Sequence, residues 1–187
     1  LDEGSPLRPS SPYSASKAAV DLLALSYFRS FGTPVTITRS SNNYGPRQYP
    51  EKLIPRMIRR ARAGRPLPVY GDGRNVRDWI HVLDHCAAVD LVIRKGRVGE
   101  VYNVGGGNER SNLDLIRLLL SLMGKDEALI SFIADRKGHD RRYAVSTEKI
   151  STQLGWRPAV EFNSGIRETI RWYLRQSVSE LDPANLS

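Results

Sequence analysis

Apolar positions along this chain follow two periods in turn, and the switches between them mark its elements. Ser11-Pro12 opens the first helix, with Ser11 as N-cap and Pro12 at the first helical position. The helix is predicted from about Tyr13 to Phe31, with Gly32 just past its end. Its face carrying Ser14, Lys17 and Asp21 is polar, and most of the rest is apolar. A stripe that wide exceeds what one sheet contact needs, so a second partner is expected there.

Short β-branched runs then alternate with helical patterns. Strands are predicted at Val35–Ser40, Leu67–Tyr70, Asp78–Val82, Val101–Val104 and Ile130–Ala134. Helices are predicted from Leu53 to Ala63, from an Asp84 cap to Lys95, and from a Ser111 or Asn112 cap to Met123. Two more are expected, from Ser146 to Gly155 and from Ser164 to Gln176. Strands alternating with helices indicate an α/β protein with a mainly parallel sheet.

Composition narrows this reading without redirecting it. The chain has 187 residues, 40% hydrophobic and 26% charged, a globular profile. No apolar run approaches the ~20 residues of a membrane span, so no membrane partner is expected. The start, Leu1-Asp2-Glu3-Gly4, lacks an initiator Met, a basic stretch and an apolar signal core, and reads like the middle of a longer protein. The single cysteine, Cys86, excludes an internal disulfide and fits a reducing, cytoplasmic compartment.

The net charge is +8, and Arg outnumbers Lys 22 to 6. Guanidinium forks suit phosphates and carboxylates. The densest basic cluster (Arg56, Arg59, Arg60, Arg62, Arg65) has no interleaved aromatic, so nucleic acid is not the expected partner. An anionic small molecule fits better. His81, His85 and Cys86 lack the further ligands that a metal site needs, and no metal is expected. His81 is read as a packed or hydrogen-bonded strand residue, and Cys86 as a small buried residue.

Candidate chemistry begins with Tyr13 and Lys17. Four residues apart on a helix, they share one face one turn apart. A free phenol ionises near pH ~10. An ammonium within reach and the positive helix end both favour tyrosinate, which can act as a general base toward a hydroxyl.

The run Ser10-Ser11-Pro12-Tyr13-Ser14-Ala15-Ser16-Lys17 resembles the active-site helix of the extended short-chain dehydrogenase/reductase family. Further runs narrow the resemblance: Ser41-Asn42-Asn43-Tyr44-Gly45-Pro46, Pro50-Glu51-Lys52-Leu53-Ile54-Pro55, Val76-Arg77-Asp78-Trp79-Ile80-His81-Val82 and Tyr102-Asn103-Val104-Gly105-Gly106. Most specific is Asp135-Arg136-Lys137-Gly138-His139-Asp140-Arg141-Arg142-Tyr143. Together these look like the dTDP-glucose 4,6-dehydratase branch, from about residue 7 to 174. Lys137 departs from the pattern, standing where many members have Pro.

The resemblance implies NAD as cofactor and a dTDP-sugar as substrate. It implies oxidation at C4 of the glucose, loss of water across C5 and C6, and return of the hydride to C6. Tyr13 would take the hydroxyl proton and Lys17 would hold the nicotinamide ribose. Asn43 would sit by the nicotinamide, and Asn42 would contact substrate. Lys52, Leu53, Pro68, Val69 and Tyr70 would line the sugar-nucleotide cleft. Asp135 and Arg136 belong to the same substrate loop; Arg77 and Arg136 would face the diphosphate, and Asn112 and His139 would flank the nucleotide. Ion pairs of Arg77 with Asp78 or Asp84, and of Arg136 with Asp135 or Asp140, are the alternative for those arginines. The family also implies a homodimer through the 13–31 helix.

Two expected parts are missing. Gly105-Gly106-Gly107 follows a strand, but Arg110 occupies the third-glycine position; Gly71-x-Gly73 fails likewise at Val76. Asp2-Glu3 follows Leu rather than Thr and lies too close to Tyr13 to be the family's acidic pair. The chain therefore reads as the C-terminal half of such an enzyme. Residues 1–45 would finish a Rossmann-like NAD-binding domain, and 46–74 would start a smaller α/β substrate domain. Residues 75–104 would return to the first domain, and 105–187 would complete the second. A related epimerase or decarboxylase, or a non-catalytic truncated nucleotide-binding module, are the alternatives.

Overall fold

A computed structural model describes residues 1–176. Helix α1 spans Pro12–Phe31. Ser11 caps it through a reciprocal pair with Ser14, and Gly32 ends it in the left-handed region. Strands β1 (Ile37–Ser40) and β2 (Asn42–Tyr44) follow as one extended run interrupted at Ser41. Next come α2 (Leu53–Arg62), β3 (Leu67–Tyr70), β4 (Val76–His81) and α3 (Val82–Lys95). The order continues with β5 (Val101–Val104), β6 (Glu109–Ser111), α4 (Asn112–Leu122), β7 (Ile130–Ile133) and β8 (Arg142–Tyr143). Helices α5 (Glu148–Leu154) and α6 (Phe162–Arg175) complete the described fold.

The α/β reading holds, and strand pairing is parallel except between β4 and β6. The extended run changes partner midway. β1 pairs with β5, Ile37 opposite Val101, while β2 pairs with β4, Asn42 opposite Trp79. β3 pairs with β7, and β8 adds to β4 beside Arg77.

β4 separates two apolar clusters. Alternation along the strand sends Trp79 into one, with α2, β3, α4 and α6 residues such as Ile58, Val69, Leu119 and Ile166. Ile80 enters the other, with Ala88, Val92, Tyr102, Val104, Ile150 and Trp156. Residues 148–156 thus pack with the β5–α3 cluster rather than with the α2–α4–α6 cluster.

Several boundaries differ from expectation, each through a tertiary contact. β4 begins at Val76 rather than Asp78, because β8 pairs there. His81 ends β4 and caps α3, its Nδ1 accepting the Leu83 N–H at 3.3 Å, so it is not a mid-strand residue. Asp84 is not the cap. It is buried in the first turn and accepts the N–H groups of Ala159 and Val160 at 2.9 and 3.1 Å. Thr147 is the N-cap of α5, where Ser146 was expected, and Ser146 Oγ accepts the Glu148 N–H from one residue further out. Glu161 caps α6 and starts it at Phe162, two residues early. Cys86 is exposed on α3, not buried, because that side of the helix faces away from β5.

The polar face of α1 is also reassigned. Ser14 and Asp21 lie half-buried toward the chain with Ala18, Leu25 and Phe28. Asp21 accepts Arg39 Nε at 2.7 Å across a partly shielded ion pair, which draws that face inward. Val20, Leu22, Leu23, Tyr27 and Phe31 are left exposed, and no residue of α1 is buried.

Candidate functional site

Parallel pairing explains how distant segments meet. β3 pairs with β7 so that Tyr70 lies opposite Ile133. The chain leaving β7 therefore starts its loop beside Tyr70. It ends that loop at β8, where Tyr143 lies opposite Arg77. Residues 134–141 thus bridge the end of β3 and the start of β4.

Within that bridge, Asp135, Arg136, His139 and Tyr70 form one connected group. His139 Nδ1 lies 2.6 Å from Asp135 Oδ1, and His139 Nε2 lies 3.1 Å from Arg136 Nη2. The Arg136 guanidinium lies over the Tyr70 ring, 4.9 Å from its centroid, and His139 meets that ring edge-on at 6.3 Å. The His139 hydrogen bond, followed by the Arg136 backbone N–H, holds the Asp135 carboxyl below its ordinary range.

Arg77 joins the group through main chain. It donates to the carbonyls of Val76 at 2.7 Å and Asp140 at 2.8 Å. Burial lowers its pKa, because the charged form is partly desolvated. It pairs with neither Asp78 nor Asp84. Asp78 instead accepts the Gly106 and Asn108 N–H groups, and Asp84 serves the segment before α6. Arg136 likewise makes no side-chain ion pair among the described residues. Two guanidinium groups thus stand close to one another with no carboxylate committed to either.

Sequence reasoning passed over three supports of this group. Asn75 is buried and donates to the Asp140 carbonyl at 3.1 Å. Ser10, just ahead of α1, donates to Asp140 Oδ1 at 2.8 Å. Gly138 has a φ of 68°, and a Cβ there would come within 2.7 Å of the Ser10 carbonyl oxygen. Asp72 and Arg141 close the loop's outer side with a bidentate pair at 2.8 and 3.1 Å. Asp72-Gly73 and Gly138 were visible as turn residues, but which turn met which was not.

The remaining candidates lie on β3 and at the starts of α2 and α4. Pro68 and Tyr70 are half-buried, while Val69 between them is 2% exposed and packs in the core, leaving only its backbone for a ligand. Lys52 is exposed beside Glu51, and Leu53 starts α2 half-buried against the core. Asn112 is the first residue of α4, its N–H bonded to the Asn75 carbonyl.

Tyr13 and Lys17 sit at the first turns of α1, both exposed; Tyr13 is 75% accessible. Asn42 and Asn43 lie on β2. Asn43 Nδ2 donates to the Ser41 carbonyl at 3.3 Å, and its Oδ1 is buried with no partner. A cavity of about 450 Å³ opens beside it, lined by Gly45, Gln48, His81, Leu83 and Glu168. An orphaned acceptor beside a cavity suits a ligand amide, and neither Tyr13 nor Lys17 lines that cavity. Among the described residues no comparable seat suits the pyrophosphate of a dinucleotide. Gly106 is committed to structure, since a Cβ there would lie 1.9 Å from the Trp79 carbonyl oxygen. Glu3 is similarly occupied, accepting the Asn103 N–H at 2.8 Å.

A family model described as GDP-mannose 4,6 dehydratase matches residues 1–169. A dTDP-glucose 4,6-dehydratase of an Actinoplanes species is 56% identical over 171 residues, covering 91% of this chain and 53% of that protein. The crystal structure of dTDP-glucose 4,6-dehydratase from Bacillus anthracis in complex with NAD superposes with a TM-score of 0.90 at 51% identity. It covers 94% of this chain and 56% of that one. DesIV, a dTDP-glucose 4,6-dehydratase from Streptomyces venezuelae with NAD and TYD bound, gives 0.92 at 50%, covering 93% and 54%. The chain spans about half the length of these relatives, and with them it belongs to the GDP-mannose 4,6 dehydratase family.

Proposed function

We propose that this chain is the substrate-binding, C-terminal portion of an NAD-dependent dTDP-glucose 4,6-dehydratase, a lyase forming dTDP-4-keto-6-deoxyglucose. The observation that carries the reading is the convergence of Arg77, Arg136, His139 and Tyr70 from three separate segments. Two guanidinium groups free of carboxylates, beside an aromatic ring, match a nucleoside diphosphate.

In this reading Arg77 and Arg136 hold the diphosphate. Lys52, Leu53, Pro68, Tyr70 and the Val69 backbone line the sugar-nucleotide cleft, and Asn112 and His139 flank the nucleotide. Asn42 contacts the sugar. Tyr13 Oη takes the proton of the C4 hydroxyl, and Lys17 fixes the nicotinamide ribose beside it. Bound NAD supplies reversible hydride acceptance. Asn43 Oδ1 is free to accept an N–H from the nicotinamide amide. The two apolar clusters are the cores of the two domains, with residues 148–156 joining the cofactor-side cluster.

The exposed apolar side of α1 supports a homodimer through that helix. Leu22→Glu is expected to lower the sedimentation coefficient to that of a monomer; an unchanged monomer before and after would refute the dimer. Leu25 faces its own chain and is not a clean probe. Among the described residues no helix is long and apolar enough to cross a membrane. A cytoplasmic site is part of the proposal, supported by the lone, exposed thiol of Cys86.

Calorimetry on the 187-residue chain tests the reading. The expected result is weak dTDP binding that declines with salt, no measurable NAD binding and no turnover. NAD retained through purification, or 4-keto sugar formed by this chain alone, would contradict it. A non-catalytic nucleotide-binding module is the second reading, since the Arg77–Arg136 group needs no cofactor to meet a diphosphate. Turnover after supplying the other half of a relative would exclude that module.

A further inference from the structure

The contacts of His139 admit one arrangement of protons. A guanidinium has no lone pair to offer, so Arg136 Nη2 can only donate to His139 Nε2. That nitrogen is therefore unprotonated, and the ring's single N–H is on Nδ1, donated to Asp135. Only 5% of the His139 side chain is exposed, so the ring cannot easily turn away, whereas 43% of the Asp135 side chain is exposed. Asp135 is in turn seated by its own loop, accepting the Arg136 backbone N–H at 2.8 Å. The Arg136 side chain then has two constraints, the Nε2 acceptor and the Tyr70 face.

We propose that Asp135 and His139 are positioning residues: a carboxylate–imidazole–guanidinium relay that holds the Arg136 fork over Tyr70 only while the imidazole is neutral. Nucleotide-diphosphate affinity then falls as His139 takes up a proton. This inference rests on the proposed function, in which Arg136 meets the diphosphate.

Protonation of Nε2 removes the only acceptor His139 offers Arg136 and places two cations face to face. The proton meanwhile strengthens the hold of Asp135 on Nδ1, so the ring stays and the guanidinium is the group that must move. The charged and titratable groups around the ring come from several elements. Asp135, Arg136 and Asp140 lie on its own loop, and Tyr70 on β3. The Asp72–Arg141 pair lies on the turn after β3, and Arg77 on β4. Asp72 is neutralised by Arg141, and Arg77 is held by two carbonyls. His139 is thus the only imidazole in this group.

The probe is dTDP-glucose, whose diphosphate is a diester and does not titrate over the pH range used. Isothermal calorimetry on the 187-residue chain would run at fixed ionic strength from about pH 8 to about pH 5. Wild-type affinity is expected to fall about tenfold, the worth of one charge-assisted hydrogen bond. His139→Asn keeps an amide N–H near the Nδ1 position but offers no acceptor at the Nε2 position. It is expected to bind about 5–10-fold more weakly at pH 8. His139→Gln places an acceptor near the Nε2 position, and is expected to recover most of that loss and to show no pH dependence. Nitrogen chemical shifts of the imidazole should report the Nδ1–H tautomer at pH 8.

A flat wild-type profile, or an Nε2–H tautomer, with Arg136→Ala still weakening binding would overturn the relay while leaving the diphosphate reading intact. Full affinity in Arg136→Ala, or no binding of dTDP-glucose by the wild-type chain, would overturn both. If His139→Asn does not fold, the wild-type profile, His139→Gln and the tautomer still decide the question.

Discussion

Two exposed stretches of this chain hold the site residues proposed above, and they are held in opposite ways. Tyr13 and Lys17 ride on α1, where no residue is buried and where neither side chain has a hydrogen-bond partner among the described residues. The helix meets its own chain along a narrow line, through the Asp21–Arg39 pair, Leu25 and Phe28. Arg136 and His139 are on a loop no less exposed. Yet the strands it bridges, β3 and β4, are rooted in the larger apolar cluster through Val69 and Trp79, and the loop is tied down at Ser10, Asn75, Asp72 and Arg77. The loop is thus organised by contacts within the chain, while α1 carries its two proposed residues on a helix with no buried residue. β1 teaches the same lesson. It pairs on one side only among the described residues, so this sheet is open at that edge.

The contrast can be broken most forcefully at Tyr13. In a complete enzyme, Tyr13→Phe removes only a hydroxyl from an exposed ring. Turnover is expected to fall by ~10²–10⁴ while the melting temperature and dTDP affinity stay close to wild type. Near-normal turnover would remove Tyr13 from the reaction. Next in size is packing. Leu119→Ala, in the larger cluster and fully buried, is expected to cost about 2–5 kcal/mol in urea unfolding. Leu22→Ala, 62% exposed on α1, is expected to change stability by less than about 0.5 kcal/mol in the isolated chain. Equal losses at both sites would mean that α1 is anchored as firmly as the core.

Smaller still is the diphosphate contact. Arg136→Ala is expected to weaken dTDP binding by about 1.5–3 kcal/mol without altering the urea midpoint. A change in midpoint with unaltered affinity would reassign Arg136 to structure. The smallest effect concerns the tie at Asp72. Hydrogen bonds from Arg141, then from the Arg74 backbone N–H, hold its carboxyl at about 2, against an ordinary 3.8. A folded-state pKa below the unfolded one means stabilisation that is present above pH 3.8 and disappears as pH falls toward 2. The pair is on the surface, so salt should reduce it. Asp72→Asn is expected to flatten the dependence of stability on pH in that interval. The same slope in wild type and variant would show that the tie contributes nothing.

How much of this was legible beforehand varies with the range of the interactions. The start of α1 was readable because Ser11 and Ser14 bond to each other three residues apart, with Pro12 at the first helical position. Strands β3 and β5 emerged with their observed limits because turn glycines bound them directly. β2, β6 and β8 were missed, since three-residue and two-residue strands exist only where a partner lies alongside. Asp84 was misread as a cap because a carboxylate near a helix start looks the same whether it serves its own helix or residues 75 positions away. The half-buried side of α1 was misjudged for a related reason: Asp21 faces inward only because Arg39 is there to receive it.

The sequence by itself determined the α/β alternation, the Tyr13–Lys17 face, the surplus of arginine and the lack of a glycine-rich pyrophosphate loop. Each depends on residue identity and spacing within a few positions, where covalent geometry sets the distances. Tertiary structure alone decided that Arg77 bonds main-chain carbonyls rather than Asp78 or Asp84, and that His139 stands between Asp135 and Arg136. It also decided that Ser10 reaches the loop from 130 residues away. Those facts follow from the pairing of β3 with β7 and of β4 with β8. Hydrogen bonding between strands is specified by register and shared burial across the whole chain, so no local stretch of sequence contains it.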